Sequence, residues 1–189
     1  NQSFDTPVTH TVTADDLTAE AATVTIPTGS LGDDGTKSLT AVISDAAGND
    51  STASSALTVT LDTAAPTAPS VPTVASGENT LVNATEKAEG VVVNVSTAGL
   101  NAGAVLDLRV DGTTVDTHTL TTSDLTKSNY GFTLDAEAIG TDGTKSVTAI
   151  ATDAAGNSSS ASSALSLTVD TVAPVLSSLK FVEQTSIGL

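Results

Sequence analysis

Residues 142–174 read DGTKSVTAIATDAAGNSSSASSALSLTVDTVAP, and residues 34–66 read DGTKSLTAVISDAAGNDSTASSALTVTLDTAAP. The two stretches lie 142 − 34 = 108 residues apart, and 23 of their 33 positions are identical without a gap. Most differences are swaps such as Leu39 for Val147. The correspondence continues upstream, where His10, Asp16 and Leu17 map onto His118, Asp124 and Leu125. A period of this length, with one apolar alternation per strand, describes a tandem array of whole domains. We expect residues 1–65 to be the C-terminal part of one repeat, residues 66–173 a complete repeat, and residues 174–189 the start of a third.

The alternations within the repeat set the fold class. Leu39, Ala41 and Ile43 alternate with Ser38, Thr40 and Val42, which predicts a half-buried strand. Leu57, Val59 and Leu61 predict the next strand, ending at Asp62. Val12 with Leu17, and Val24 with Ile26, suggest further short runs around a polar stretch. In the complete repeat, Val91, Val93 and Val95 form one face, and Ala104, Leu106, Leu108 and Val110 another. Asp111-Gly112 marks a hairpin, and Tyr130, Phe132 and Leu134 form the aromatic side of a later strand. The only helical signal taken from the sequence is a turn near residues 123–127. About seven short strands with turn signals between them predict an all-β fold, an immunoglobulin-like β-sandwich in each repeat. Pro66, Pro69 and Pro72 fix φ and remove amide donors, so the connector between repeats is expected to be stiff and extended.

Composition narrows function. The 189 residues carry 22 acidic and 6 basic side chains, a net charge of −16. Such a field repels nucleic acid and anionic membrane surfaces. No run of 18 or more apolar residues predicts a membrane span, and no leader pattern opens the chain. With no Cys, disulfides and thiolate metal sites are out. Phe4, Tyr130, Phe132 and Phe181 are the only aromatics, so the core must come from Val, Leu, Ile and Ala. No GxSxG elbow or Ser/His/Asp arrangement is present, and His10 and His118 have no second His or Cys at motif spacing. An enzyme is not expected.

The repeated acids carry the chemistry that remains. In a sandwich of this kind the last strand and the turn before the penultimate strand finish at one end, and the loop between those two strands lies at the other. Asp33, Asp34 and Asp62 then fall at the outgoing end of the first repeat, and Asp153 and Asn157 at the incoming end of the second. Oxygen-only ligands suit a hard cation such as calcium. Without one, clustered carboxylates repel by roughly 1–4 kcal/mol per close pair. We therefore expect a calcium-stiffened junction of Asp62, Asp153 and Asn157 with Asp34 or Asp33, and an equivalent one using Asp170 and Asp142. Asp45 and Asn49 are the counterparts of Asp153 and Asn157 in the first repeat. The plainer alternative is that DAAGN is a tight turn whose Asp and Asn satisfy the backbone, and DG a hairpin corner. Asn83 and Glu86, in LVNATEKAEG, are weaker candidates and read as a solvated turn.

The DAAGN loops at residues 45–49 and 153–157, the DTxAP ends at residues 62–66 and 170–174, and VNATE at residues 82–86 resemble one family. They are similar to the bacterial immunoglobulin-like repeats of giant secreted adhesins and biofilm-associated surface proteins. The resemblance covers nearly the whole chain except residues 175–189. It implies a long extracellular stalk at the cell surface, often exported by a type I system, whose repeats bind calcium between domains. The Trp frequent in such repeats is replaced here by Tyr130 and Phe132. Three roles follow: a spacer partnered only by neighbouring repeats, a module that presents loops to a carbohydrate or host protein, or a repeat packing laterally into a surface filament. Tyr130 and Phe132 sit on a core-facing alternation, which favours the spacer.

Overall fold

Val91, Val93 and Val95 turn to one side of strand β5 (Val91–Ser96) and are buried, while Val92, Asn94 and Ser96 turn to the other. The computed structural model describes residues 7–180, and the chain divides into two units between Ala64 and Ala65. The second unit is a two-layer sandwich. One layer orders β3 (Thr73–Val74), β5 and β8 (Asn129–Leu134). The other orders β4 (Leu81–Val82), β10 (Leu165–Val169), β9 (Gly143–Thr152), β6 (Val105–Val110) and β7 (Thr113–Thr119). The first strand region changes layer between β3 and β4, and β4 then pairs parallel to the last strand, with Val82 opposite Val169. All other pairings in this unit are antiparallel.

The core lies between the layers. Val93, Val95, Leu106, Leu108, Phe132, Leu134, Val147, Ala149, Ala151 and Leu167 are essentially sealed from solvent. Buried Phe132 meets the half-buried Tyr130 edge to face at 4.9 Å, so the two aromatic rings of this strand brace one another against the core.

Strand register fixes which loops share an end. β3 opens opposite the finish of β5, Thr73 facing Asn94, and β9 finishes opposite the start of β6, Thr152 facing Val105. The chain therefore comes in at the end that carries the loop at residues 153–157. It goes out at the opposite end, where Val169 faces Gly143, the first residue of β9.

Helices appear where the sequence reading had none. Residues Ala84–Glu89 form α2, with Asn83 accepting from the amides of Thr85 and Glu86, and Glu86 accepting from the Asn83 amide. This reciprocal capping box satisfies orphan donors at the helix start. Residues Ala136–Ile139 form α3, capped by Asp135. Asn83 and Glu86 are thus cap residues of a short helix, not a bare turn. The Asp124–Thr126 segment is the expected single turn, of the 3₁₀ type.

The first unit is thinner. It holds α1 (Ala14–Ala19), and β1 (Gly35–Leu39) paired with β2 (Leu57–Leu61). The short strands expected at Val12 and around Val24–Ile26 do not form, and Leu17 lies in α1. The strand expected through Ile43 stops at Leu39, whereas its counterpart β9 continues for ten residues. The reason is the partner: β6 pairs with residues 147–152 in the second unit, and no described strand does so for residues 39–44. Ile43 is accordingly 69% exposed where Ala151 is 0%. Of the expected third repeat, residues 174–180 carry no regular element and residues 181–189 lie outside the described residues, as does Phe4. No helix among the described residues is long and apolar enough to cross a membrane.

Candidate metal and linker sites at the two ends of the sandwich

At the outgoing end of the second unit, Asp142 precedes β9 and Asp170 follows β10, so the register pair Gly143–Val169 sets them side by side in the fold. The Asp142 carboxylate accepts the Thr171 amide at 3.0 Å on Oδ2 and the Thr171 hydroxyl at 2.9 Å on Oδ1. Asp170 Oδ1 accepts the Val172 amide at 3.0 Å. The first unit repeats this arrangement: Asp34 takes the Thr63 amide at 3.0 Å and hydroxyl at 2.8 Å, and Asp62 takes the Ala64 amide at 3.1 Å. Asp33 is exposed in the bend beside Asp34. The backbone donor of the following threonine, then its hydroxyl, holds Asp34 and Asp142 below the ordinary carboxylate value.

At the incoming end, Asp153 closes its own loop. Its Oδ1 accepts the amides of Ala155 and Asn157, each at 2.9 Å, and its Oδ2 accepts the Asn157 side-chain amide at 3.0 Å. Gly156 sits at φ 95°, a left-handed conformation that glycine adopts without strain. Asp45, Asn49 and Gly48 reproduce the loop in the first unit. The Asn side chain is the main cause that lowers both aspartates.

The expected site residues thus gather in two kinds of place within a unit: Asp142 with Asp170 at one end, Asp153 with Asn157 at the other. Calcium takes roughly six to eight oxygen ligands. The donor chemistry suits that ion. The number does not reach it within one unit, because among the described residues no group of three or more His, Cys, Asp or Glu side chains is placed to hold a metal.

Other repeated residues matter too, among them serines that carry no charge or apolar pattern. Ser159 and Ser162 are buried, and their hydroxyl oxygens accept the amides of Ala151 and Ala149, each at 3.0 Å. Their own amides return to the carbonyls of the same two residues at 2.8 Å. Ser51 and Ser54 do the same for Ile43 and Ala41. The signal available was an S-x-x-S spacing kept in both copies of a stretch that looks like low-complexity linker. His118 Nε2 lies 3.1 Å from Asp124 Oδ2, and its ring stacks on Tyr130 at 3.7 Å, joining edge strand β7 of one layer to β8 of the other. His10 and Asp16 make the equivalent pair at 2.9 Å.

No family model and no curated protein matches this chain. Solved structures similar to it include one described as structural insight into host cell surface retention of a 1.5-MDa bacterial ice-binding adhesin, at 23% identity and TM-score 0.42, covering 73% of this chain and 43% of that one. Another is a bacterial immunoglobulin-like domain from the M. primoryensis ice-binding adhesin, at 22% identity and TM-score 0.40, covering 56% of this chain and 100% of that one. A third comprises Clostridium thermocellum CbhA fibronectin(III)-like modules, at 16% identity and TM-score 0.43, covering 73% and 64%. The chain spans less than half the length of the first adhesin structure. The immunoglobulin-like sandwich itself rests on the strand order and register of the second unit.

Proposed function

We propose that this chain is a non-catalytic extender of a large bacterial surface adhesin, a run of immunoglobulin-like repeats that holds a binding tip away from the cell and so supports adhesion and biofilm formation. The observation that carries the reading is the path of the chain through the second unit: in at one end of the sandwich, out at the other. A unit of that kind adds length when repeated, and the 108-residue repeat supplies the repetition. The polar residues support a structural role too. Asp142, Asp153, Asn157 and Ser162 spend their polar atoms closing loops and strand ends. Burial of Phe132, with Tyr130 packed against the core, takes away the aromatic face that a sugar-binding module would present.

We further propose that calcium stiffens the joints between repeats, drawing on Asp62, Asp34 and Asp33 with Asp153 and Asn157, and on Asp170 and Asp142 at the next joint. The net charge of −16 supports this, because a bound cation turns carboxylate repulsion into attraction. With the ion about tenfold above its Kd, each site would add about 1.4 kcal/mol to the folded state. Calorimetric melting of the full chain in millimolar calcium and in excess EDTA tests it. We expect a melting temperature several degrees higher with calcium, and loss of that difference in Asp62→Ala or Asp153→Ala. Identical melts would remove calcium from the account.

A further inference from the structure

We propose that Thr171, and Thr63 in the first unit, is a positioning residue that latches the departing chain to the sandwich without any metal. The contacts are two-pronged. One threonine supplies both its amide and its hydroxyl to the two oxygens of a single carboxylate 29 residues earlier in the chain. The residues on either side are held as well. The Asp170 amide donates to the Val82 carbonyl at 2.9 Å, and the Asp170 carboxylate holds the Val172 amide. Two residues on, Pro174 fixes its own φ and restricts Ala173 to extended backbone. From Val169 to Pro174, therefore, almost every residue carries a constraint on the direction in which the chain leaves.

The first unit provides an independent instance. There Leu57 is 62% exposed while Leu39, Val59 and Leu61 are half-buried, and β1 is half the length of its counterpart. The latch nonetheless forms with the same donors on the same oxygens, at 3.0 and 2.8 Å. In both units it ties the aspartate before the penultimate strand to the threonine that follows the last strand's D-T exit. The consequence bears on the acids themselves. Asp34 and Asp142 already have both oxygens engaged by a threonine, so their first role is as latch acceptors, and an ion must share them. The latch holds whether or not calcium binds, so it goes beyond the stalk reading and does not depend on it.

Amide hydrogen exchange of the full chain, followed residue by residue by NMR in excess EDTA, tests this directly. Hydrogen bonds to a charged acceptor are expected to slow exchange at Thr171 and Val172 by roughly ten- to hundredfold against an unstructured peptide. Thr171→Val, which keeps shape and loses the hydroxyl, should lower that protection about tenfold. Thr168 and Val169 should remain protected, and Thr171→Ser should restore the loss. Free exchange at 171 and 172 in EDTA, with protection appearing only on adding calcium, would assign the role to the ion and overturn the proposal. So would unchanged protection in Thr171→Val, or equal loss in the serine variant.

Discussion

Asp124 collects three donors on one carboxylate oxygen: the Thr121 amide at 2.9 Å, the Thr121 hydroxyl at 2.7 Å and His118 Nε2 at 3.1 Å. The Thr121 contacts, then His118, hold its pKa well below the usual carboxylate range, and Asp16 is held at about 2 by Thr13 and His10. A carboxyl lowered in the folded state stabilises that state above its unfolded value near 3.8, and this contribution drains away as pH falls toward 2. Urea midpoints should therefore drop between pH 5 and pH 2, and Asp124→Asn should show a flatter profile than the wild type. An unchanged slope would mean that the contacts gathered on Asp124 contribute nothing to folding. The two histidines look idle in the sequence because no second metal ligand stands near them. The T-x-x-D spacing at residues 13–16 and 121–124 was the readable clue, since it puts hydroxyl and carboxylate within capping reach. The stack of His118 on Tyr130 was not readable, because it depends on how two layers meet.

Strand alternation named β5, β6 and β8 with their inward faces, because each buries every second residue and that period is written in the side chains. It failed where the partner decides. Residues 40–44 alternate as well as residues 148–152 do, yet only the latter lie beside β6. The serine ladder fails the other way: residues 158–164 hold nothing more apolar than Ala161 and Ala164, and the segment is held by hydroxyls standing in for carbonyls. Ser162→Ala should strand the buried Ala149 amide and cost about 1–3 kcal/mol, read as a lower denaturant midpoint with the slope preserved. Asn83→Ala should cost about 1 kcal/mol by removing the cap of α2. Gly90 is stiffer ground: at φ 90°, a Cβ there would come within 2.9 Å of Thr133 Cγ2 and 3.3 Å of the Leu134 carbonyl oxygen. Gly90→Ala is expected to cost about 1–3 kcal/mol in the same assay. Edge strand β7 carries a bulge, with Val115 extra between Asp116 opposite Leu108 and Thr114 opposite Arg109. Bulges of this kind, with a charge beside them, discourage edge-to-edge pairing. That argues against lateral packing through β7.

For the molecule as a whole, the 108-residue period, the β-sandwich and the opposed ends of the unit were legible from repeated residues and turn signals. The oxygen-rich ends were legible as well, from Asp142, Asp170, Asp153 and Asn157. What those oxygens do first was not. Asp153 and Asn157 face one another within a loop, and Asp142 faces Thr171 across two strands, contacts that spacing alone does not distinguish from a calcium shell. Together these parts describe a repeat whose chain path and latched exit make a tandem array extend. Small-angle X-ray scattering of two complete tandem repeats, in calcium and in EDTA, measures that directly. The account predicts a maximum dimension about twice that of one repeat in calcium, from end-to-end stacking. In EDTA it predicts a broader distribution, since the exit latch remains but the joint loses its ion. A compact pair in calcium, folded back on itself, would contradict the stalk.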